Sequence, residues 1–308
     1  MARTKIEWTD MTWNPVTGCT PISEGCQNCY AKRMAKRLAG RCGYPKDDPF
    51  LVTLHPERLN EPMKWKTPRR VFVCSMGDLF HENVHPYDIM QIFNVMAKAK
   101  HHTFLVLTKR PERMLEFYKR LRPGNVIPGP YFSITGIGEG WAGSPPRLPD
   151  NIWLGITAEN QQRANERIPI LLQIPAAVRF VSVEPMLGPV DLSKWKPFDG
   201  ECYCQDDPKG CKPRLSKNCP ETAIDWVICG GETGPGARPM HPDWVRSLRD
   251  QCQAAGVPFF FKQWGEYGLN WLNDDNGKVE GSEWMDRMGK KKAGRILDGR
   301  TWDEMPEI

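Results

Sequence analysis

Three cysteines stand close together in the segment TGCTPISEGCQNCYA. Cys19 and Cys26 are separated by six residues, and Cys26 and Cys29 by two. A structural zinc site takes four protein ligands, and this loop supplies only three. A 4Fe–4S cluster bound by three thiolates keeps one iron open for a substrate or cofactor. The spacing therefore leaves two interpretations open: a cluster with an open iron, or a zinc site completed by a distant ligand such as His81 or Cys74.

A second group of cysteines lies in the polar segment 194–223, which shows no clear hydrophobic periodicity. Four thiolates would complete a closed zinc site, and such a metal would stabilise an insertion that lacks a core of its own. An auxiliary iron–sulfur cluster and reduced free thiols are the alternatives. The four residues are Cys202, Cys204, Cys211 and Cys219.

The composition of the 308-residue chain is that of a globular protein rather than a membrane or secreted one. The N-terminal sequence MARTKIEWTD lacks the apolar core of a signal peptide, and no run of about 18 apolar residues occurs. We therefore expect a cytoplasmic protein with no membrane segment, where clustered cysteines favour metal binding over disulfides. The net charge of +5 permits a nucleic-acid partner without requiring one. Nothing in the sequence indicates an oligomeric state.

Apolar, β-branched runs alternate with amphipathic segments along most of the chain. Such runs predict strands that are buried on both faces of a parallel sheet, with the amphipathic segments as helices between them. We predict strands within 69–75, 101–108, 151–157, 178–184, 224–231 and 257–263, a further one around 13–16, and helices within 26–40, 86–100, 111–121, 158–174 and 241–256. This α/β pattern favours a partial or complete β/α (TIM-like) barrel, with a doubly wound open sheet as the structural rival.

We expect residues 1–264 to form the barrel, with the cysteine-rich segment 194–223 as an insertion. The polar, aromatic residues 265–308 then form a C-terminal extension that packs on it. Polar residues just after the strands of a β/α barrel line its active site. Among the residues that follow these strands, the candidate site residues are Ser75, Gly77, Asp78, His81, Lys109, Glu159, Asn160, Glu184, Glu232, Arg238, Lys262 and Trp264. For Asp78 the alternative is a helix N-cap.

Ordered motifs along the chain resemble a phage-associated family of unknown function that carries a three-cysteine motif. The resemblance runs from about residue 5 to about residue 306 and rests on KIEWTDMTWNPVTGCTPISEGCQNCYA, VFVCSMGDLFHE, VLTKRPERM, LGITAENQ, VSVEPMLGPVDL, CGGETGPGARPMHPDWVRSLRDQC, FFFKQWGEY and DGRTWDEMP. More distantly, the layout resembles radical S-adenosylmethionine (SAM) enzymes of the spore photoproduct lyase type. The six-residue gap after Cys19 departs from the three-residue gap that is usual in those enzymes.

The resemblance implies a catalytic 4Fe–4S cluster on Cys19, Cys26 and Cys29. Such a cluster cleaves SAM reductively, and the resulting radical abstracts a substrate hydrogen. It also implies an electron donor of the flavodoxin or ferredoxin type. The implied substrate is DNA, RNA or a nucleoside, whose base is repaired or modified, and a peptide or a partner protein is the alternative that stays open.

The resemblance further implies which strand-end residues contact SAM. Asp78 would accept a hydrogen bond from the SAM ammonium, and Lys109, with Arg110 in reserve, would pair with the carboxylate. The whole predicted cofactor-binding set is Tyr30, Ser75, Gly77, Asp78, Lys109, Glu159, Asn160 and Glu184. The predicted substrate contacts are Glu232, Arg238, Lys262 and Trp264, the last as a cap on the barrel or a platform that stacks on a base.

Two other classes of function remain open. A non-enzymatic regulatory module of a phage or its host would hold zinc, not iron, at the three-cysteine loop. A metal-dependent barrel hydrolase would use Asp78, His81 and Glu184 around a metal and would need neither SAM nor a reductant.

Overall fold

The computed structural model describes residues 4, 6–122, 132–133, 148–195, 223–270 and 284–307. The predicted second cysteine group, Cys202, Cys204, Cys211 and Cys219, lies outside these residues. Among the helices in the described ranges, none is both long and apolar enough to cross a membrane.

The described residues contain thirteen short strands and six α-helices. The strands are β1 (Met11–Trp13), β2 (Val16–Thr17), β3 (Thr53–Leu54), β4 (Arg70–Val73), β5 (Thr103–Thr108), β6 (Leu121–Arg122), β7 (Phe132–Ser133), β8 (Ile152–Thr157), β9 (Arg179–Val183), β10 (Trp226–Gly230), β11 (Phe259–Gln263), β12 (Tyr267–Asn270) and β13 (Trp284–Arg287). The helices are α1 (Tyr30–Arg37), α2 (Pro86–Lys98), α3 (Pro111–Lys119), α4 (Gln161–Leu171), α5 (Pro242–Ala254) and α6 (Lys290–Ala293).

Seven of the strands form one sheet in the order β1–β4–β5–β8–β9–β10–β11. The pairs β1–β4, β4–β5, β5–β8 and β10–β11 are parallel. The order follows the chain without a reversal, whereas a doubly wound sheet reverses its order at a switch point. The prediction of an α/β fold around a parallel sheet is confirmed, and the strand order is consistent with a partial β/α barrel.

The strands form where the sequence is apolar on both faces. Every residue of β8, β9 and β10 is buried, as expected for strands covered on both sides. Each of the six predicted apolar runs contains one strand of the sheet. The strand expected around residues 13–16 is divided, because β1 ends at Trp13 and β2 pairs with β3 in a separate antiparallel ladder.

Two of the helices begin with the same His-Pro pair. His85 precedes α2 and His241 precedes α5, and Nδ1 of each ring accepts a hydrogen bond from the backbone N–H two residues later. Proline at the first helical position has no N–H that would need a partner. The apolar stripe predicted for α2 is buried, with Ile89, Ile92, Phe93 and Met96 each at most 1% exposed.

The chain groups into two compact units. The first comprises Met1–Ile22, Cys29–Thr157 and Glu166–Phe180, and the second comprises Ser23–Asn28, Ala158–Asn165 and Val181–Ile308. In the first unit, Trp13 packs against Phe104 with ring centroids 5.8 Å apart. In the second, β12 and β13 form an antiparallel hairpin. The domain boundary expected at residue 264 stays a prediction.

Candidate functional site

The backbone that carries Cys19 is fixed on both sides of the residue. Gly18 has φ 87°, a conformation that favours glycine, and a Cβ there would lie 2.1 Å from the carbonyl oxygen of Leu51. Gly18 N–H donates to Met76 O at 2.9 Å, and Cys19 N–H donates to Phe50 O at 3.2 Å. The half-buried Cys19 side chain therefore projects from a defined backbone.

Cys26 and Cys29 also occupy defined local structures. Cys26 ends a short 3-10 turn, Glu24–Cys26, and Cys29 is the N-cap residue of α1. The carbonyl oxygen of Cys29 accepts a hydrogen bond from Arg33 N–H at 3.2 Å. Both thiols are half-buried, like that of Cys19, so each retains access for a ligand.

Arg110 is a buried cation in contact with Cys19. Its Nη1 donates to Cys19 Sγ at 3.4 Å and to Asp78 Oδ2 at 3.3 Å. Its Nη2 donates to the backbone oxygen and Oγ1 of Thr20, both at 3.1 Å, and Nε lies 3.2 Å from each carboxylate oxygen of Glu82. Burial alone would lower the pKa of Arg110, but the charges of Asp78 and Cys19 and the Glu82 hydrogen bond raise it above its ordinary value. The charged guanidinium thus directs a hydrogen-bond donor at the Cys19 sulfur.

The carboxylate of Asp78 accepts hydrogen bonds from residues at the C-terminal end of β5. Its Oδ1 accepts hydrogen bonds from Thr108 Oγ1 at 2.7 Å and from Phe80 N–H at 3.0 Å, and its Oδ2 accepts from Lys109 N–H at 3.2 Å. The alternative that Asp78 caps a helix is wrong, because α2 starts later and is capped by His85. A SAM ammonium or a hydrolase metal would have to compete with these donors for the carboxylate.

The predicted small-residue stretch after β4 packs on the chain that leads to Cys19. Ser75 Oγ donates to Asn14 Oδ1 at 3.2 Å. A Cβ on Gly77 would lie 2.8 Å from the carbonyl oxygen of Gly18. Glycine at this position therefore permits the close approach of the two segments.

His81 is one of the two suggested distant zinc ligands, and both of its ring nitrogens form hydrogen bonds within the protein. Nδ1 accepts from Asn83 N–H at 3.1 Å, so Nε2 carries the proton and donates to Thr20 Oγ1 at 2.9 Å. Burial, followed by the charge of Arg110, lowers the pKa of His81. The other suggested ligand, Cys74, is buried, and burial raises the pKa of its thiol to about 12.

In the second unit, Glu159 packs under the segment Ser23–Asn28. Ser23 Oγ donates to Glu159 Oε1 at 2.5 Å. A Cβ on Gly25 would lie 2.5 Å from Cγ and Oε1 of Glu159, so the segment approaches this side chain as closely as glycine allows. Glu159 is fully buried. Its carboxylate thus fixes the turn that presents Cys26.

Glu24, at the start of the same turn, is held by two side chains near the start of α4. Arg163 Nη2 donates to Glu24 Oε2 at 2.9 Å, and Asn160 Nδ2 donates to Glu24 Oε1 at 2.5 Å. The hydrogen bond from Arg163 is the main reason that the pKa of Glu24 falls from 4.5 to about 2. The turn is therefore anchored by an ionised carboxylate at neutral pH.

Arg238 and Glu232 hold both ends of the segment Ser23–Asn28. They form an ion pair with Nη2 and Oε1 2.7 Å apart. Arg238 Nη2 also donates to the backbone oxygen of Glu24 at 3.0 Å, and Asn28 Nδ2 donates to Glu232 Oε2 at 3.0 Å. Burial would raise the pKa of Glu232, but these hydrogen bonds lower it. Both residues are predicted substrate contacts, and the structure places them on the loop that carries Cys26.

Glu184 and Lys262 form an ion pair of their own, with Nζ and Oε1 2.5 Å apart and each side chain 16% exposed. A Cβ on Gly230 would lie 3.1 Å from Glu184 Cγ, so this glycine leaves room for the carboxylate. Trp264 is buried, and its Nε1 donates to Ile296 O at 2.8 Å. Its ring packs inside the protein, whereas a stacking platform presents a ring face to the ligand.

Four residues that hold this loop are not among the predicted site residues: Ser23, Glu24, Asn28 and Arg163. For Ser23, Glu24 and Asn28 the one sequence signal is that the residues around Cys26 in SEGCQN are polar, which indicates side chains that anchor a loop, and Arg163 carries no such signal. Within the described ranges, no group of three or more His, Cys, Asp or Glu side chains is arranged as a metal site.

Comparison with known proteins places the chain in a family. One family model, described as Protein of unknown function (DUF5131), matches residues 3–306. The chain belongs to this family. No curated protein and no solved structure matches it. The family model thus covers nearly the whole chain, and its description names no activity.

Proposed function

We propose that this protein is a radical SAM enzyme that holds a 4Fe–4S cluster through Cys19, Cys26 and Cys29. The observation that carries the proposal is the hydrogen bond from the buried guanidinium of Arg110 to the sulfur of Cys19. Hydrogen bonds to the sulfur ligands are a means by which proteins tune iron–sulfur clusters. A cysteine that only fills space needs no such donor, and burying the cation costs free energy.

The donor set fits the group by its chemistry. Thiolates are the ligands that iron–sulfur clusters take, and three of them lie within the segment from Cys19 to Cys29. All three are half-buried, so they are accessible, whereas Cys74, Cys229 and Cys252 are buried in the core. A cluster held by these three thiolates would keep one iron open, and SAM would bind there.

The chemistry that such a cluster supplies is one-electron reduction of the SAM sulfonium, which yields methionine and a 5′-deoxyadenosyl radical able to take a hydrogen atom from the substrate. The protein's own residues position the ligands. Arg110 orients the Cys19 sulfur, and Glu159 and Arg238 fix the turn before and after Cys26. A flavodoxin-like or ferredoxin-like partner donates the electron.

We further propose that the SAM contacts come from Ser75, Gly77, Asp78, Lys109, Glu159, Asn160 and Glu184, whereas the ring of Tyr30, the eighth predicted contact, is 58% exposed. Lys262 and Glu184 form a half-buried ion pair, so they could offer a cation to the SAM carboxylate and an anion to its ammonium. The proposed substrate is a nucleic-acid base that is repaired or modified, which follows the resemblance to the photoproduct lyase type. Zinc at Cys202, Cys204, Cys211 and Cys219 remains the proposal for the second cysteine group.

The test is anaerobic purification of the wild type and of the Cys19→Ser, Cys26→Ser and Cys29→Ser variants, with Cys42→Ser as the matched control. Cys42 is an exposed cysteine outside the loop. We expect about four iron and four sulfide ions per chain in the wild type and the control, and their loss in each loop variant. With dithionite and SAM, only the loaded proteins should release 5′-deoxyadenosine.

Two results would favour the other functions. Zinc in place of iron at the loop, lost in the same three variants, would indicate the regulatory module. Hydrolytic turnover that survives without SAM or a reductant and that disappears in Asp78→Asn would indicate the hydrolase.

A further inference from the structure

The outward face of α1 is basic along its whole length. Ala31 and Ala35 are buried and define the side of the helix that faces the protein. Lys32, Lys36 and Arg37 are exposed on the other side. Residues 30–46 contain six Lys or Arg residues and no Asp or Glu. We call the set Tyr30, Lys32, Lys36, Arg37 and Arg41 the α1 face.

The cations of the α1 face are not used in ion pairs within the described part of the chain. Arg37 Nη1 lies 4.0 Å from Met34 Sδ, and Arg41 Nη2 donates to the backbone oxygen of Arg37 at 3.0 Å. No carboxylate of the described residues pairs with Lys32 or Lys36. These positive charges are therefore available to an external anion.

Helix stability does not account for the charges at the start of α1. Its first turn carries Lys32 and Arg33 and no acid, although the positive end of the helix dipole disfavours cations there. Of the other described helices, α2, α3 and α5 each have an acid in the first turn (Asp88, Glu112 and Asp243), whereas α4 and α6 have none. Residues that destabilise a helix locally, such as these cations, are expected where the surface is used for binding.

We infer that the α1 face binds single-stranded nucleic acid. Lys32, Lys36 and Arg37 would contact successive phosphates, and the 58% exposed ring of Tyr30 would stack on an unpaired base. A lipid surface fits less well, because an interfacial helix needs an outward apolar face, whereas the apolar side of α1 is buried against the protein. Binding at this face does not require the cluster, although Tyr30 directly follows the proposed ligand Cys29.

The experiment measures fluorescence anisotropy of a labelled 20-nucleotide single strand over a range of salt concentrations, without SAM. The variant is Lys32→Gln with Lys36→Gln and Arg37→Gln. The matched control is Lys290→Gln with Lys291→Gln and Lys292→Gln, which removes the same charge from the exposed helix α6. We expect the α1 variant to bind at least about tenfold more weakly, with a salt slope smaller by about 2, since each lost phosphate contact removes about 0.7. The control should bind like the wild type.

Tyr30→Ala should weaken single-strand binding about tenfold and leave duplex binding unchanged, and Tyr30→Phe should restore it. Equal losses in the two triple variants, or equally tight wild-type binding to a duplex or to anionic phosphatidylglycerol vesicles, would overturn the inference. Circular dichroism checks that each variant folds. If the triple variant is unstable, the single variants Lys32→Gln and Lys36→Gln replace it, and each should lower the salt slope by about 0.7. Iron content is measured separately, so wild-type protein that binds the strand but holds no iron contradicts the proposed function alone.

Discussion

Two groups of cysteines among the described residues lie in contrasting environments. Cys74, Cys229 and Cys252 are buried in the core, and burial raises the pKa of Cys74 to about 12 and that of Cys229 well above 9. Cys19, Cys26 and Cys29 are half-buried in a loop whose neighbours are charged or polar. The same side chain is therefore a shielded core residue in one region and an accessible thiol in the other.

The side chains around each thiol, and not the number of cysteines, distinguish the two groups. The Cys19 sulfur accepts a hydrogen bond from a guanidinium, whereas the Cys229 thiol lies 3.6 Å from the sulfur of Met186. Cysteine chemistry depends on formation of the thiolate, which apolar burial opposes.

Alkylation of the metal-free native protein should separate the two groups most strongly. We expect iodoacetamide at pH 8 to modify the loop cysteines at least about a hundredfold faster than Cys74, Cys229 and Cys252, because a thiol with a pKa near 12 is almost wholly protonated and is also shielded. Peptide mapping by mass spectrometry measures each rate. In the iron-loaded protein the loop cysteines should become protected as well. Rapid labelling of Cys74 in the native state would refute the contrast.

Gly25→Ala should disrupt the loop without removing a ligand. The new Cβ would lie 2.5 Å from Cγ of Glu159, an overlap that costs about 1–3 kcal/mol or displaces the turn that presents Cys26. We expect iron content after anaerobic reconstitution to fall by more than half. Gly188→Ala is the matched control, since its Cβ would make an ordinary 3.5 Å contact with Asn160. Equal iron content in the two variants would contradict the role given to Glu159.

Arg238→Gln should weaken the second anchor of the same segment. It leaves the buried carboxylate of Glu232 without its cation, so we expect the free energy of unfolding to fall by about 1–3 kcal/mol. Arg246→Gln, which breaks a more exposed pair with Asp298, should cost less than about 1 kcal/mol. Urea unfolding measures both. If Arg246→Gln lowers the free energy of unfolding more than Arg238→Gln does, Arg238 does not anchor the segment Ser23–Asn28.

The smallest effect concerns pH. The pKa of Glu24 is lowered from 4.5 to about 2, so its contribution to stability is fully present above pH 4.5 and is lost as the pH falls towards 2. Arg163→Gln should remove this contribution, so its stability should depend less on pH between 5 and 2.5 than that of the wild type. Urea unfolding at several pH values measures the difference. Arg120→Gln, which breaks an exposed pair with Glu116, should keep the wild-type slope.

Most of the sheet and its helices could be predicted, because buried parallel strands are nearly continuous apolar runs and their helices carry a regular apolar stripe. The α2 helix shows this best: its predicted stripe of Ile89, Ile92, Phe93 and Met96 is the buried one. The division of the first strand could not be predicted, because the pairing of β2 with β3 depends on residues far along the chain.

The partners of the strand-end side chains could not be predicted either. Ser23 contacts Glu159 across 136 residues of sequence, and Arg238 contacts Glu24 across 214. A single sequence carries no information about which distant residues meet. The contact between Arg110 and Cys19 could not be predicted for a related reason: Lys109 and Arg110 follow the same strand, and the sequence does not show which of the two side chains reaches the sulfur.

The most direct test of the central claim is electron paramagnetic resonance of the dithionite-reduced, anaerobically purified protein, recorded with and without SAM labelled with ¹⁵N and ¹⁷O. We predict the signal of a reduced 4Fe–4S cluster, a change in that signal when SAM binds, and hyperfine coupling to the labelled amino nitrogen and carboxylate oxygen. A protein that carries zinc at Cys19, Cys26 and Cys29, or a cluster whose signal is unaffected by SAM, would contradict the account.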